Sequence, residues 1–390
     1  MEILRDVSLR DFTTFRIGGN AEYFAEAKSV SDLAAALKFS KVVTVIGRGS
    51  NLLVSDYGVK GLVVRIALAG VAVVDDDPGG KGCSHHESRI PNSEKTGTCG
   101  SQRGLATPTG MNVTIPNPES RTPNPEFRTP NPESRTVQTI AAYAGESLSA
   151  LSRFYLKNGF SGLEWASGIP ASVGGAVKMN AGAHGSDVAA SVQWAEVLRD
   201  GAVVRLKTRE CGFSYRRSGF LASDIIVRAG FAYRADGPAR IAERMRGFSE
   251  YRRATQPAGR SAGSVFKAAR SSGQGSGVRG QGSDDNISAI PNSSLLIPHT
   301  TLSELPTSYF LLPTFSDSIP AGRLIDRAGL KGTRIGGAVI SQKHANFILN
   351  TDNASSDDVI KLIRLVKSRV FERFGVELEE EIQYVGEFSE

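Results

Sequence analysis

The hydrophobic pattern of the chain changes period from block to block. Val42, Val43, Val45 and Ile46 make a β-branched run that predicts a buried strand. Leu52–Val54 and Leu62–Ile66 predict further strands. Ser29 and Asp32 form a capping box, and Leu33 to Phe39 follow as a short helix. Residues 11–28 read as a turn and then a strand. Ile66–Val74 is an apolar run pointing into the fold, and Val137–Ala144 has the character of a strand pointing back out. The helix Ser147–Lys157 carries Leu148, Leu151 and Tyr155 on one face and closes at Asn158-Gly159. Ser191–Leu198 and Val203–Lys207 flank Asp200-Gly201 as a hairpin, and a strand Asp224–Ala229 follows. Asp236-Gly237-Pro238 opens a helix. Ser355–Asp358 caps another helix, with Val359, Ile363, Val366 and Val370 on one face and Gly375 as its stop. The chain ends LEEEIQYVGEF, an acidic strand.

Two segments break the pattern. Residues 75–136 are rich in Pro, Gly, Ser and Asn and end in three tandem units, PNPESRT, PNPEFRT and PNPESRT. A residue before proline avoids the helical region, so disorder is expected. The segment reads as an insertion into a hairpin. Residues 268–318 contain SSGQGSGVRGQGSDDN, a flexible linker composition. Cys83, His85, His86 and Cys99 could hold zinc, but their spacing matches no familiar module and no metal site is assigned.

Apolar content of 40% and charged content of 22% describe a soluble protein. No apolar run approaches bilayer length, and the charged start MEILRDVSLRDF has no signal-peptide core. The three cysteines make no disulfide framework, so a cytoplasmic protein is expected. The net charge of +6 suits anionic ligands, yet the basic residues are scattered, which argues against nucleic acid.

The densest glycine stretch is GLEWASGIPASVGGAVKMNAGAHG, from Gly162 to Gly185. Its apolar runs are too short for a helix face. Glycine at this density suits a tightly turned loop or a cradle whose N–H groups face phosphates or a flat ring. Gly47-Arg48-Gly49-Ser50-Asn51 breaks the Val42–Ile46 strand. It lacks the third glycine of a dinucleotide fingerprint but offers consecutive N–H groups to a diphosphate.

Several blocks together resemble one family. TTFRIGGNAEYF, VIGRGSNLLVSDYGVKGLVVRI, the glycine stretch, FSYRRSGF, QPAGRSAGSVFK, PAGRLIDRAGLKGTRIGGAVISQKHANFILN and FGVELEEEI occur in the order found in the UDP-N-acetylenolpyruvoylglucosamine reductases (MurB) of peptidoglycan synthesis. RRATQP resembles the shorter, second type. The resemblance covers nearly everything outside 75–136 and 268–318. It implies an α+β fold: an FAD-binding half of two subdomains, of the vanillyl-alcohol-oxidase-like kind, and an α/β substrate domain. The division would be 1–66, 67–236 and 237–390.

The resemblance further implies FAD, NADPH as reductant, a UDP-sugar enolpyruvyl ether as substrate, and a monomer. By motif match the catalytic residues would be Arg216, Ser264 and Glu381, with Glu379 as the alternative register. A serine hydroxyl is a poor acid, so its anion needs neighbours; Lys267 and Arg216 are candidates. Cofactor contacts would be Gly47, Gly49, Ser50 and Asn51 at the diphosphate, with Arg16, Gly18, Ser167, Gly168, Ile169, Pro170, Gly174, Gly175 and Gly182 nearby. Arg252, Arg253, Gln256, Lys267 and Asn346 are candidate substrate or NADPH contacts, and His184 and His344 read as loop or packing residues. The family's Asn-Pro after the serine block is Ala268-Ala269 here. Two rival readings are a non-catalytic flavin-binding relative and a different oxidase of the superfamily; the latter would often tether its flavin through Cys or His.

Overall fold

The computed structural model describes residues 1–75, 138–270 and 318–388. The repeats, the Cys/His cluster and most of both unusual segments lie outside the described residues.

The N-terminal sheet has four strands. β1 (Ile3–Ser8) pairs antiparallel with β2 (Asn20–Ala27). β2 and β3 (Val43–Ile46) both pair parallel with β5 (Val59–Ile66). Helix α1 (Val30–Phe39) crosses between β2 and β3, and the Ser29–Asp32 capping box is present as expected. β4 (Leu52–Val54) leaves this sheet.

The expected run Ile66–Val74 is not one strand. Ile66 ends β5, the chain turns through Gly70 at φ 137°, and β6 (Val71–Asp75) starts the next sheet. Apolar character continues through the break because both sheets face one core. β6 pairs antiparallel with β7 (Gln138–Tyr143), so residues 76–137 leave and re-enter at a hairpin. β7 pairs in turn with Ile225–Ala232, that strand with Val192–Arg199, and that one with Ala202–Lys207. Asp200 and Gly201 make the turn between the last two, both at positive φ. Helix α2 (Leu148–Lys157) buries Leu148, Leu151 and Tyr155 as its spacing predicts, and the Tyr155 hydroxyl donates to the Phe231 carbonyl at 3.0 Å.

The C-terminal part holds the strands Arg334–Ile335, Ala338–Ile340 and Ile348–Asn350, packed under the helix Ser356–Phe374. Ala269–Arg270 pairs antiparallel with Ser318–Ile319, so residues 271–317 also leave and return at adjacent strand ends. A strand pairing and a shared core are among the contacts that tie this part to the rest. The strand Gln383–Val385 pairs parallel with β4, and Phe15, Ile17 and Leu53 share a core with Leu324, Val359 and Val366. The helix Pro238–Thr255 packs instead on α2 and on the Glu164–Ala166 turn, within 67–236 territory. Among the described residues no helix is long and apolar enough to cross a membrane.

Candidate functional site

SYRR does not continue a strand; it reverses the chain. Ser214 and Arg217 exchange backbone hydrogen bonds at 2.9 and 3.1 Å, which leaves Tyr215 and Arg216 at the tip. Arg216 sits at φ 53°, a left-handed conformation that costs a non-glycine residue about 1 kcal/mol. Residues held this way gather at functional sites. Two neighbours share the feature, Asn180 at φ 44° and His184 at φ 54°. Asn180 Nδ2 donates to the Ser214 carbonyl at 2.9 Å, and Arg216 Nη1 to the Gly182 carbonyl at 3.0 Å. The end of the glycine stretch and the arginine turn are thus interlocked.

Ser264 and Glu381 are set by one short ladder. Ser264 bridges Phe347, and Phe266 bridges Glu380. Glu381 N–H donates to the Val265 carbonyl at 2.8 Å, and Lys267 N–H to the Glu379 carbonyl at 2.9 Å. Asn346 clamps the serine strand. Its Oδ1 accepts from Phe266 N–H at 2.9 Å, and its Nδ2 donates to the Phe266 carbonyl at 2.8 Å. Both ends of that buried amide are engaged, so Asn346 supports the serine strand. Ser264 Oγ has no hydrogen-bond partner among the described residues.

The three neighbouring glutamates have separate partners. Glu379 is exposed and pairs with Lys267. Glu380 pairs with Lys367 at 2.9 Å. Glu381 Oε1 lies 2.9 Å from Arg216 Nε, an ion pair in which that N–H is not aligned as a donor. Geometry therefore puts Glu381, not Glu379, against the arginine. Burial raises the Glu381 carboxyl above its ordinary value, and Arg216 and Lys267 only partly offset it. Lys267 is held by Glu379.

The GRGSN turn meets the glycine stretch. A Cβ on Gly47 would fall 2.2 Å from Ser172 Oγ, so only glycine lets the two segments touch. Among the described residues, the N–H groups of Arg48, Gly49 and Ser50 donate to nothing in the protein. Consecutive partnerless N–H groups at a turn are what a diphosphate satisfies. Thr14 joins this turn to the serine strand: its N–H donates to the Gly49 carbonyl at 3.1 Å, its hydroxyl to the Ser261 carbonyl at 2.7 Å.

The glycine stretch departs from its sequence reading. It contains a short helix, α3 (Val173–Lys178), capped by Ser172. The N–H groups of its first turn are engaged by the protein: Val173 to the Glu146 carbonyl, Gly174 to the Ala144 carbonyl, Gly175 to Ser172 Oγ. Gly168 N–H likewise donates to Ser149 Oγ at 3.2 Å. The free donors for phosphate therefore lie in GRGSN, while Gly168, Pro170 and Gly175 give an exposed strip without bulky side chains. Ser167 is buried against Ser249, and Ile169 is half-buried at the edge of the core. Gly18, Gly49, Gly174 and Gly182 each allow close contact with protein atoms. The Arg16 guanidinium is turned outward onto Asp11.

The sequence reading missed two links. The Tyr215 hydroxyl accepts from Ala268 N–H at 3.3 Å and joins the arginine turn to the serine strand. Asn180, within a run read only for its glycines, anchors the same turn. Its residue type was the available signal, since Asn is favoured at the left-handed φ it adopts. His344 is a packing residue as expected, edge-on to Phe347.

The "UDP-N-acetylenolpyruvoylglucosamine reductase, C-terminal domain" family matches residues 255–385, and an "FAD binding domain" family matches residues 133–207. The UDP-N-acetylenolpyruvoylglucosamine reductase 1 of Bacillus thuringiensis is 33% identical over 98% of this chain and 95% of that protein. The corresponding reductase of Rubrobacter xylanophilus is 31% identical over the same shares. The crystal structure of UDP-N-acetylenolpyruvylglucosamine reductase from Thermus caldophilus matches with a TM-score of 0.61 and 28% identity, covering 98% of both chains.

Proposed function

The chain belongs to the UDP-N-acetylenolpyruvoylglucosamine reductase family, and from that premise we propose how its own residues carry the reaction. The protein is an FAD-dependent oxidoreductase that reduces UDP-N-acetylglucosamine enolpyruvate to UDP-N-acetylmuramate with NADPH, a step of peptidoglycan synthesis. The observation that carries the residue assignment is the convergence of Arg216, Glu381 and the Ser264 strand. The first two form an ion pair at 2.9 Å, and the strand is hydrogen-bonded to Glu381.

Bound FAD, once reduced by hydride from NADPH, would supply a hydride to the enolpyruvyl methylene carbon. Negative charge then develops at the neighbouring carbon and its carboxylate. Arg216, pinned by Gly182 and Glu381, stabilises that charge in a site that is largely shielded from water. Ser264 Oγ, free of protein partners, gives the proton to the same carbon. Glu381 fixes the guanidinium and moderates its charge. The orphaned N–H groups of GRGSN hold the cofactor's diphosphate. The strip at Gly168, Ile169, Pro170 and Gly175 lies along the cofactor, with Arg16, Gly18, Ser167, Gly174 and Gly182 shaping the surrounding backbone.

The division 1–66, 67–236 and 237–390 frames these roles, with two amendments from packing. The helix Pro238–Thr255 rides on the second part, and Gln383–Val385 completes the first. The proposed working unit is a monomer. Nucleotide substrates support a cytoplasmic enzyme. Cys211 is fully buried with its thiol pushed up to about 11, which disfavours a tethered flavin.

The test is turnover. Yellow purified protein should be bleached by NADPH, and the flavin colour should return on adding the enolpyruvyl substrate under anaerobic conditions. Bleaching without that return would support the non-catalytic relative instead.

A further inference from the structure

Arg216 is held at two points, and both lead to one residue outside the reacting cluster. Its Nη1 donates to the Gly182 carbonyl at 3.0 Å. The turn that carries it is tied down where Asn180 Nδ2 donates to the Ser214 carbonyl at 2.9 Å. Asp187 meets both anchors. Its backbone pairs with Gly182 in the short ladder of Gly182–Ala183 against Ser186–Asp187. A Cβ on Gly182 would stand 2.8 Å from the Asp187 Cβ, so this pairing needs glycine there. The Asp187 side chain takes the other anchor: its Oδ2 accepts from Asn180 Nδ2 at 3.1 Å.

The Asn180 amide can face only one way. Ala189 N–H donates to Asn180 Oδ1 at 2.9 Å, and a backbone N–H can only donate. The Ser214 carbonyl and the Asp187 carboxylate only accept. With the oxygen toward Ala189, both amide hydrogens are used, one on Asp187 and one on Ser214. Asn180 is 3% exposed, so a flipped amide would leave buried donors and acceptors unpaired.

The two Asp187 oxygens are divided between two tasks. Oδ1 accepts from Ala190 N–H at 3.1 Å and caps the short helix Val188–Ser191. A cap needs one oxygen, which serine supplies as well. The second oxygen of the carboxylate goes to Asn180. The remaining supports hold the far end of the loop: Ser218 Oγ donates to the Lys178 carbonyl, and Lys178 Nζ to the Leu221 carbonyl at 2.8 Å. The tip at Arg216 depends on Gly182 and Asn180. We propose that Asp187 is a positioning residue for the reduction: through Asn180 and Gly182 it sets where the Arg216 guanidinium stands. The proposal rests on the reductase reading.

The experiment uses the full FAD-loaded chain and the variants D187S, D187A, N180A and R216Q, with D187S also made in the R216Q background. Serine keeps the capping oxygen and removes the second acceptor. Asp187 is half-buried, so D187S carries the test even where N180A does not fold. Anaerobic stopped-flow absorbance follows re-oxidation of the NADPH-reduced flavin by the enolpyruvyl substrate. D187S should lower the limiting rate at least about tenfold, as a guanidinium displaced by a fraction of an ångström would. The substrate concentration at half-maximal rate should stay within about twofold, because the charge that Arg216 meets develops only in the transition state. In the R216Q background D187S should cost no more than about twofold, since the group it places is gone. Hydrogen exchange of the Ser214–Arg217 peptide needs no turnover, and D187S should speed it while the thermal midpoint holds. Wild-type turnover by D187S beside a slow D187A would make Asp187 a helix cap only and overturn the proposal. An undiminished loss in the R216Q background would overturn it as well. If the wild type never re-oxidises with that substrate while D187S still loosens the Ser214–Arg217 turn, the reductase reading fails and the positioning of Arg216 by Asp187 stands.

Discussion

Asn51 and Glu381 lie 330 positions apart and share a hydrogen bond: the Asn51 Nδ2 donates to the Glu381 carbonyl at 3.0 Å. The Asn51 carbonyl in turn accepts from Gln383 N–H at 2.9 Å. The turn assigned to the cofactor's diphosphate therefore also holds the backbone of the glutamate that faces Arg216. Binding and chemistry meet in one residue.

Asn51→Ala should consequently lower kcat as well as FAD affinity. Removing one partly buried hydrogen bond is worth about 1 kcal/mol, or roughly fivefold in rate if felt wholly at Glu381. Saturating FAD should not restore kcat. Steady-state kinetics across a range of added FAD checks this; complete recovery at high FAD would confine Asn51 to cofactor binding.

Ser264→Ala should separate the half-reactions. Bleaching of the flavin by NADPH should keep its wild-type rate, because no reducing step uses Oγ. Re-oxidation by the enolpyruvyl substrate should fall by about 10² to 10⁴, the usual range for a lost proton donor. Stopped-flow absorbance resolves the two phases. Re-oxidation at an unchanged rate would remove Ser264 from the mechanism.

Glu381 gives a pH signature. Its carboxyl is raised in the folded chain above the ordinary 4.5, chiefly by burial. The folded state therefore binds the proton more tightly than the unfolded state. That favourable contribution is complete below the ordinary value and is lost as pH rises through the folded pKa. Glu381→Gln has no such dependence. Its stability relative to wild type should improve from about pH 4 to about pH 8, while its activity falls. Urea unfolding at both pH values decides it; a relative loss on raising the pH would mean that the carboxyl is depressed instead.

Much of the fold's punctuation is local in sequence, and those parts were legible. Ser29 with Asp32, Ser355 with Asp358, Asp200-Gly201 and Gly375 are punctuation that acts within a turn, and each is found where its residue type predicts. Motif blocks gave Arg216, Ser264 and Glu381 as a set. What was hidden depends on partners distant in sequence. Glu379, Glu380 and Glu381 are chemically identical, and only Lys267, Lys367 and Arg216 tell them apart. The helix within the glycine stretch forms because Ala144, Glu146 and Ser172 take its first N–H groups, against the propensity of Gly174 and Gly175. β1 was invisible because its residues are mostly exposed and show no alternation.

The last expectation concerns the support of the cofactor wall. Glu164 starts the turn that leads into Ser167-Gly168-Ile169-Pro170, and its side chain is 9% exposed. Burial pushes its carboxyl up, but Arg244 and the Gly162 N–H hold it below the ordinary value. Arg244 also binds Asp236, so one guanidinium fastens the helix Pro238–Thr255 to the wall. Glu164→Ala leaves that guanidinium with Asp236 still as a counterion, at a cost of about 1–3 kcal/mol for the lost charged hydrogen bonds. Because the carboxyl is depressed in the folded state, its contribution is present above the ordinary carboxylate range and disappears as pH falls through the folded value. Wild type and variant should therefore converge in stability under acid. If the wall depends on this anchor, FAD should dissociate from the variant more readily near neutral pH, at temperatures where the far-ultraviolet dichroism is still native. A variant that melts earlier but keeps wild-type FAD affinity up to its own midpoint would show that the anchor serves the fold alone.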